Sequence, residues 1–459
     1  MDCSIPAPFA GLSGSASPKH CSQPILLEQL EGHEGVVTAV KFLAYDGKAV
    51  LLSSSLDGSV RVWRVEPRRT RSEGRTRKEG RVLRGGVYPP LAGITCLAVC
   101  QGEGTAITGC EDGKMRMWDL ESGNCTVTHS THTSSSGGVT AVGLGATRIA
   151  IASGDKMLRV FLRGSMTEVI STTSGGGHSS VDDVAMFGKR AGKDQAVEES
   201  EGSQSDSETD LVSVVAVGGS HGIESTTSSS PDTSGRRFGS AIMYHETSEA
   251  IEAPVEESLA KRKQPFDTAL NCVDCTPSGN RVVFGAHSPD CGVYLAEPQG
   301  LGKKKCKADG FVQLGTHPAG VSSVAISGDG KWAVSGDRSR CINVHALGAS
   351  LSGCHRVAYT INKAHQGVVK TLDISPDLKT LYSGGCDRKI KIWDLAVIVF
   401  QRRLCLVYLR TLWLAGRCCP VNVNQSRSSE WQARRKTKLV VRNILEMPDK
   451  IFHHVVKYL

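Results

Sequence analysis

Three groups of residues have the types and spacing that chemistry could use. Cys272 and Cys275 form the only Cys-x-x-Cys of the chain. A redox or zinc site would want such a pair, but no second pair stands at zinc-ligand spacing, and both cysteines fall in a strand-like run. They read as small buried hydrophobes. Gly328-Asp329-Gly330-Lys331 has the glycines and lysine of a phosphate loop without its spacing or the Ser/Thr that should follow, so it reads as a hairpin turn. Third, a serine, a histidine and an aspartate occur together as His33, Ser53 and Asp57, and again as His365, Ser383 and Asp387. One such set could be a nucleophile, a base and an orienting acid. Two sets, each tied to one unit of a repeat, point instead to a structural position. No catalytic residue, cofactor-binding residue or metal ligand follows from the sequence, and a non-enzyme is expected.

The elements that carry these residues are short strands. Gly385 to Leu395 is a turn at Asp387-Arg388 followed by Ile390 and Ile392 alternating with Lys389 and Lys391, the period of a half-buried strand, ending on Trp393. Leu56 to Val65 and Glu111 to Leu120 repeat the design, with Asp57-Gly58 and Asp112-Gly113 at their turns and strands ending on Trp63 and Trp118. An apolar-x-x-apolar-x-apolar signature precedes them and recurs seven times, beginning at Val37, Ile94, Val139, Val181, Leu270, Val321 and Val369. The third strand of each unit brings a large side chain to one register: Trp63, Trp118, Phe161, Tyr244, Leu295, His345 and Trp393.

At these residues the chain resembles the WD-repeat β-propeller family, whose unit runs from a Gly-His to a Trp-Asp dipeptide. Gly32-His33 leads to Trp63-Arg64 in the first unit, and Ala364-His365 to Trp393-Asp394 in the last. The resemblance implies an all-β, seven-bladed propeller of four-stranded antiparallel blades over 24–395, with Ile25 to Leu30 closing the ring beside Ile390 to Leu395. It also implies buried hydrogen-bonded tetrads of His33, Ser53, Asp57 and Trp63 and of His365, Ser383, Asp387 and Trp393. Blade 2 keeps Thr108, Asp112 and Trp118 but has Pro90 where the histidine belongs. Blade 6 keeps His317 and Ser335, with Ser339 in the aspartate's place and His345 in the tryptophan's. The blade 4 and 5 region, 177–297, is degenerate and rests on strand pattern alone, which leaves a count of six blades as the alternative to seven.

Composition fits a globular body with appendages. Of the 459 residues, 39% are hydrophobic and 22% charged, and 50 glycines supply turns. Residues 1–23 have the composition of a disordered leader without secretory character, and the 16 cysteines are scattered through strands. An intracellular protein, cytoplasmic or nuclear and not secreted, is expected. Disordered insertions are expected near 188–210, 223–237 and 246–266. The first contains Ser203, Ser205 and Ser207, each followed three positions later by an acidic residue, as an acid-directed kinase requires. Of the formal charge of +8, the segment 396–459 carries twelve basic against three acidic residues, so the body is near neutral. That extension is read as helical. Its apolar part contains Arg402, Arg403 and Arg410 and so does not read as a membrane span. A basic loop, Arg68, Arg69, Arg71, Arg75, Arg77 and Lys78, is a candidate docking patch.

The expected function is a non-catalytic scaffold for protein–protein interactions in a multiprotein complex, without cofactor or small-molecule substrate. The alternative is an RNA- or ribonucleoprotein-associated propeller that uses the basic loop and tail.

Overall fold

The computed structural model describes residues 25–65, 75–77, 81–83, 92–131, 138–172 except 146 and 156, 181–189, 211–219, 239–246, 259–266, 269–297, and 311–395 except 349, 352 and 354. The expected leader, the basic extension 396–459 and Ser203, Ser205 and Ser207 lie outside the described residues.

The strands form antiparallel sheets in sequence order. Blade 1 is Val37–Tyr45, Lys48–Ser55, Val60–Arg64 and Arg81–Leu83; blade 2 is Ile94–Val99, Thr105–Cys110, Lys114–Asp119 and Cys125–Ser130. Blade 3 is Val139–Leu144, Arg148–Ser153, Leu158–Leu162 and Glu168–Thr172; blade 4 is Asp183–Lys189, Leu211–Gly219, Gly239–Glu246 and Leu259–Phe266. Blade 5 is Leu270–Cys275, Val282–Ala286, Gly292–Ala296 and Phe311–Thr316; blade 6 is Val321–Ile326, Trp332–Asp337, Ile342–Ala346 and Arg356–Ile361. The closing sheet, blade 7, takes Val369–Ile374, Thr380–Gly385 and Ile390–Asp394 from the end of the repeat region and Ile25–Leu30 from its start. The first strands pack on one another in turn around an axis, and Val369–Ile374 returns to Val37–Tyr45. The result is a β-propeller.

Two details depart from expectation. Against the expected set of seven four-stranded blades, six sheets have four strands and the closing sheet has five. Its fifth strand is Arg75–Arg77 of the basic segment, which runs parallel to Ile25–Leu30 with Glu28 opposite Arg75 and Leu30 opposite Arg77. An outer strand otherwise presents a row of unpaired amides, and this addition covers part of that row. The insertion expected near 246–266 also ends early: Leu259–Phe266, including the backbone of Lys261-Arg262-Lys263, pairs with Gly239–Glu246 as the outer strand of blade 4.

The repeat signature has a physical origin. In blades 1, 2, 3, 5, 6 and 7 the pairing of first and second strand shifts by one residue just after the first apolar residue, as between Val37 and Ala39 or between Val321 and Ser323. This bulge inserts a residue into the period of two, so the apolar positions become i, i+3 and i+5. The large third-strand residues share one register as well. Trp63 lies opposite Leu51, Trp118 opposite Ala106, Phe161 opposite Ile149, Tyr244 opposite Val214, Leu295 opposite Val283, His345 opposite Ala333 and Trp393 opposite Leu381.

Candidate functional site

The serine–histidine–aspartate sets are assembled, and their geometry shows what they can do. In blade 1, Trp63 Nε1 donates to Ser53 Oγ at 2.9 Å, Ser53 Oγ lies 2.8 Å from His33 Nε2, and His33 Nδ1 lies 3.0 Å from Asp57 Oδ2. Asp57 also accepts from the amides of Glu34 and Ser59 and from Ser59 Oγ. Burial alone would raise the Asp57 carboxyl; the hydrogen bonds from His33 and Ser59 outweigh it and hold the group below the usual carboxylate range. Blade 7 repeats this with Trp393 Nε1 to Ser383 Oγ at 2.9 Å, Ser383 Oγ to His365 Nε2 at 2.7 Å, and His365 Nδ1 at 3.0 Å from Asp387. Ser53 and Ser383 are completely buried. A serine oxygen that receives an indole N–H and is shut from solvent is no nucleophile; it joins the second strand to the turn and the third strand.

Blade 6 builds the same chain from other residues. Ser335 Oγ stands 2.7 Å from His317 Nε2 and 2.7 Å from His345 Nε2, so His345 takes the tryptophan's role. The acid beside His317 is Asp337, not Ser339: its carboxylate lies 3.3 Å from His317 Nδ1, close but without the hydrogen-bond geometry of blades 1 and 7, and Ser339 donates its hydroxyl to it. Two residues of displacement along the chain hide this acid from a reading by register. His345 Nδ1 is buried without a hydrogen-bond partner. Burial, with His317 beside it, pushes the His345 imidazole down to about 3, so it is neutral.

Blade 2 has no histidine, and Trp118 Nε1 donates to Thr108 Oγ1 at 2.9 Å. The partner of Asp112 is Arg116, four residues on, whose Nη2 donates to Oδ2 at 2.7 Å. Blade 3 repeats this with Arg159 Nη1 to Asp155 Oδ2 at 2.8 Å. The signal for this pairing is visible in the sequence as an arginine four positions after the turn aspartate, in a blade that lacks the histidine.

Around the axis, the bulged residue of one blade ties to the next. Thr38 Oγ1 donates to the Ile94 carbonyl at 2.8 Å, Thr95 to Val139 at 2.5 Å, Thr140 to Val181 at 2.7 Å, Asn271 Nδ2 to Val321 at 2.8 Å, and Ser322 Oγ to Val369. Lower in the same strands, side chains accept from the neighbouring strand's free amides: Asp183 from Val273 at 2.9 Å, Asp274 from Ile326 at 2.8 Å, Ser323 from Leu372 at 3.0 Å, Thr371 from Val40 at 3.0 Å and Asp373 from Phe42 at 2.5 Å. The open inner edges of the blades are thus satisfied by side chains. Burial, only partly offset by Lys41 and these amides, pushes Asp183 and Asp373 up to about 6. Burial would lower Lys41, but Asp373, Asp274 and Asp183 outweigh it and raise the ammonium's pKa.

Among the described residues no three His, Cys, Asp or Glu side chains are grouped to hold a metal, and no helix is long and apolar enough to cross a membrane. Burial raises the Cys272 and Cys275 thiols well above their ordinary value, and both are free. In the Gly328-Asp329-Gly330-Lys331 turn, Asp329 accepts from Ser327 Oγ and the Lys331 amide, so a carboxylate fills the space where a phosphate would need donors. Of the basic segment, the backbone of Arg75 and Arg77 is placed in the fifth strand, whereas Arg68, Arg69, Arg71 and Lys78 lie outside the described residues.

A comparison with family models matches four stretches, residues 25–64, 86–119, 311–345 and 356–394, to a model described as a WD domain, G-beta repeat. These stretches cover the closing strand, three strands each of blades 1 and 2, the outer strand of blade 5, and the strands of blades 6 and 7. No curated protein matches the chain.

Proposed function

Because this chain carries WD40 repeats and folds as a β-propeller, we propose that it is a non-catalytic scaffold that mediates protein–protein interactions within a multiprotein complex. The supporting observation is the condition of its catalytic-type side chains. Ser53 and Ser383 are each fixed between an indole N–H and an imidazole and are fully buried. What the fold leaves to solvent is two faces of loops and turns around a rigid disc, which suits it to hold several proteins in fixed relation. We place the scaffold inside the cell, in line with its free cysteines.

Affinity purification of the tagged full chain, followed by mass spectrometry and native mass determination, tests this. Two or more proteins in stoichiometric amounts are expected. A chain that purifies alone, or labelling of Ser53 or Ser383 by a fluorophosphonate probe, would overturn the proposal. The RNA-associated alternative rests on the basic segment 68–78 and the tail. It requires salt-dependent RNA binding that is lost on deleting residues 396–459.

A further inference from the structure

The turns of blades 6 and 7 carry arginine where the fold calls for glycine. Five residues before the Trp63 and Trp118 positions stand Gly58 and Gly113, with φ of 76° and 72°. At the same register blade 6 has Arg340 with φ 74° and blade 7 has Arg388 with φ 64°. An L-residue with a side chain held in this left-handed region costs about 1 kcal/mol or more relative to glycine. Lys363, in the connection between the two blades, is a third basic residue in this region, with φ 52°. Strain of this kind, repeated under an arginine at the same turn position of two adjacent blades, directs attention to what the cations do.

They share one face. Arg338 N donates to the Gly320 carbonyl at the entry to blade 6, Ala364 N to the Arg340 carbonyl, and Cys386 N to Val368 at the entry to blade 7. Arg338, Arg340, Lys363, Lys370 and Arg388 are all exposed. None of the five is in an ion pair among the described residues. Of the nearby carboxylates, Asp337 is held by His317, Ser339 and the Cys341 amide, Asp387 by His365 and the Gln366 amide, and Glu31 by Lys389 at 2.9 Å, while Glu34 is exposed and its carbonyl accepts from Arg388 Nη1 at 3.3 Å. The turn acids Asp337 and Asp387 are bound into the tetrads, where hydrogen bonds keep them ionised, so they offset only part of the positive charge. Net positive charge is left on one sector of one face.

We propose that this sector, Arg338, Arg340, Lys363, Lys370 and Arg388, is the docking surface for an acidic peptide segment of a partner protein. The proposal rests on the scaffold reading and assigns it a surface. Charge complementarity identifies the occupant, since five exposed cations outnumber the carboxylates of Glu34, Asp337 and Asp387 around them and attract a run of carboxylates. Single-stranded nucleic acid fits less well: it is held by stacking as well as charge, and among the described residues the exposed large hydrophobics are Leu56 and Val357, neither of them aromatic.

Arg340→Gly/Arg388→Gly separates binding from folding, because it removes two charges and relieves two strained positions at once. The full-length variant should melt at the same temperature as the wild type or higher. Anisotropy with a fluorescent twelve-residue Glu/Asp peptide should show it binding about tenfold more weakly than the wild type at low salt, as expected for two exposed charge contacts. Lys363→Glu/Lys370→Glu should weaken binding at least as much, and Arg68→Ala/Arg69→Ala/Arg71→Ala should leave it within about twofold. Equal affinity of wild type and the glycine variant would overturn the surface, as would tighter binding of a single-stranded RNA of equal charge through the same residues. If the glycine variant loses the peptide but the wild-type chain assembles no complex, the scaffold reading fails and the site stands. If a complex forms equally well with either chain, the site fails and the scaffold stands.

Discussion

At the scale of single residues, one hydroxyl organises each tetrad. Removing Trp393 takes away an aromatic body and the donor to Ser383 Oγ, so Trp393→Ala should cost on the order of 3 to 5 kcal/mol. Leu295→Ala, at the same register without polar partners, should cost less; equal costs in urea unfolding would mean that the blade 7 tetrad contributes nothing. His345 gives a test by pH. Its folded pKa of about 3 lies below the unfolded 6.5, so the neutral form is favoured in the fold. Its contribution is fully present above pH 6.5 and is lost as pH falls through that window towards 3, on the order of 5 kcal/mol in all. Substituting leucine, which blade 5 carries at this register, should flatten the acid slope of the melting temperature between pH 6.5 and 4. An unchanged slope would show that His345 does not titrate in that range.

At the scale of the element, the same turn is held in two ways. Blades 1, 6 and 7 join an acid to a histidine, and blades 2 and 3 join it to an arginine four residues on. Arg116 is buried while Asp112 retains some access to water, which softens the loss of either partner. Arg116→Met should therefore destabilise by about 2 to 3 kcal/mol, and adding Asp112→Asn should recover part of that, because the unpaired carboxylate is then neutral. A fully additive double mutant, measured by chemical denaturation, would mean that the pair is not coupled.

At the scale of the whole molecule, the ring is closed by strands from both ends of the repeat region and strapped by a third segment. Deleting residues 1–31 removes the outer strand that pairs Ile25 with Asp394 and Leu30 with Ile390, and should lower the melting temperature sharply. An unchanged melt would mean that another segment can take the place of that strand. The axis should respond to pH in the opposite sense from His345. Asp373 and Asp183 have folded pKa values raised to about 6 from 3.8, so the fold prefers them neutral, and stability is lost as pH rises through 6. Asp373→Asn keeps an acceptor for the Phe42 amide and removes the charge. It should stabilise by roughly 1 to 3 kcal/mol above pH 7 and have little effect below pH 4, read from melting curves at both. A destabilised variant at pH 7 would show that the attraction to Lys41 outweighs burial.

The sequence by itself determined the repeating unit, because that information is local: a bulged inner strand, a turn aspartate and a large residue at one register all fall within one blade. It also placed Ile25 to Leu30 beside Ile390 to Leu395, since a strand before the first unit without a blade of its own has one open edge to join. Partnerships that bend the register or cross blades were decided by the tertiary structure. Asp337 replaces the expected Ser339 because, at the end of the second strand, its carboxylate lies 3.3 Å from His317 Nδ1. Arg75–Arg77, read as a loop from its charge, is a strand because the open backbone of Ile25–Leu30 lies beside it, and hydrogen bonding to an edge is indifferent to side-chain charge. Thr38, Thr95, Thr140, Asn271 and Ser322 are polar residues in plain view in the sequence. Their acceptors are carbonyls dozens of residues away, brought within reach only when the ring closes.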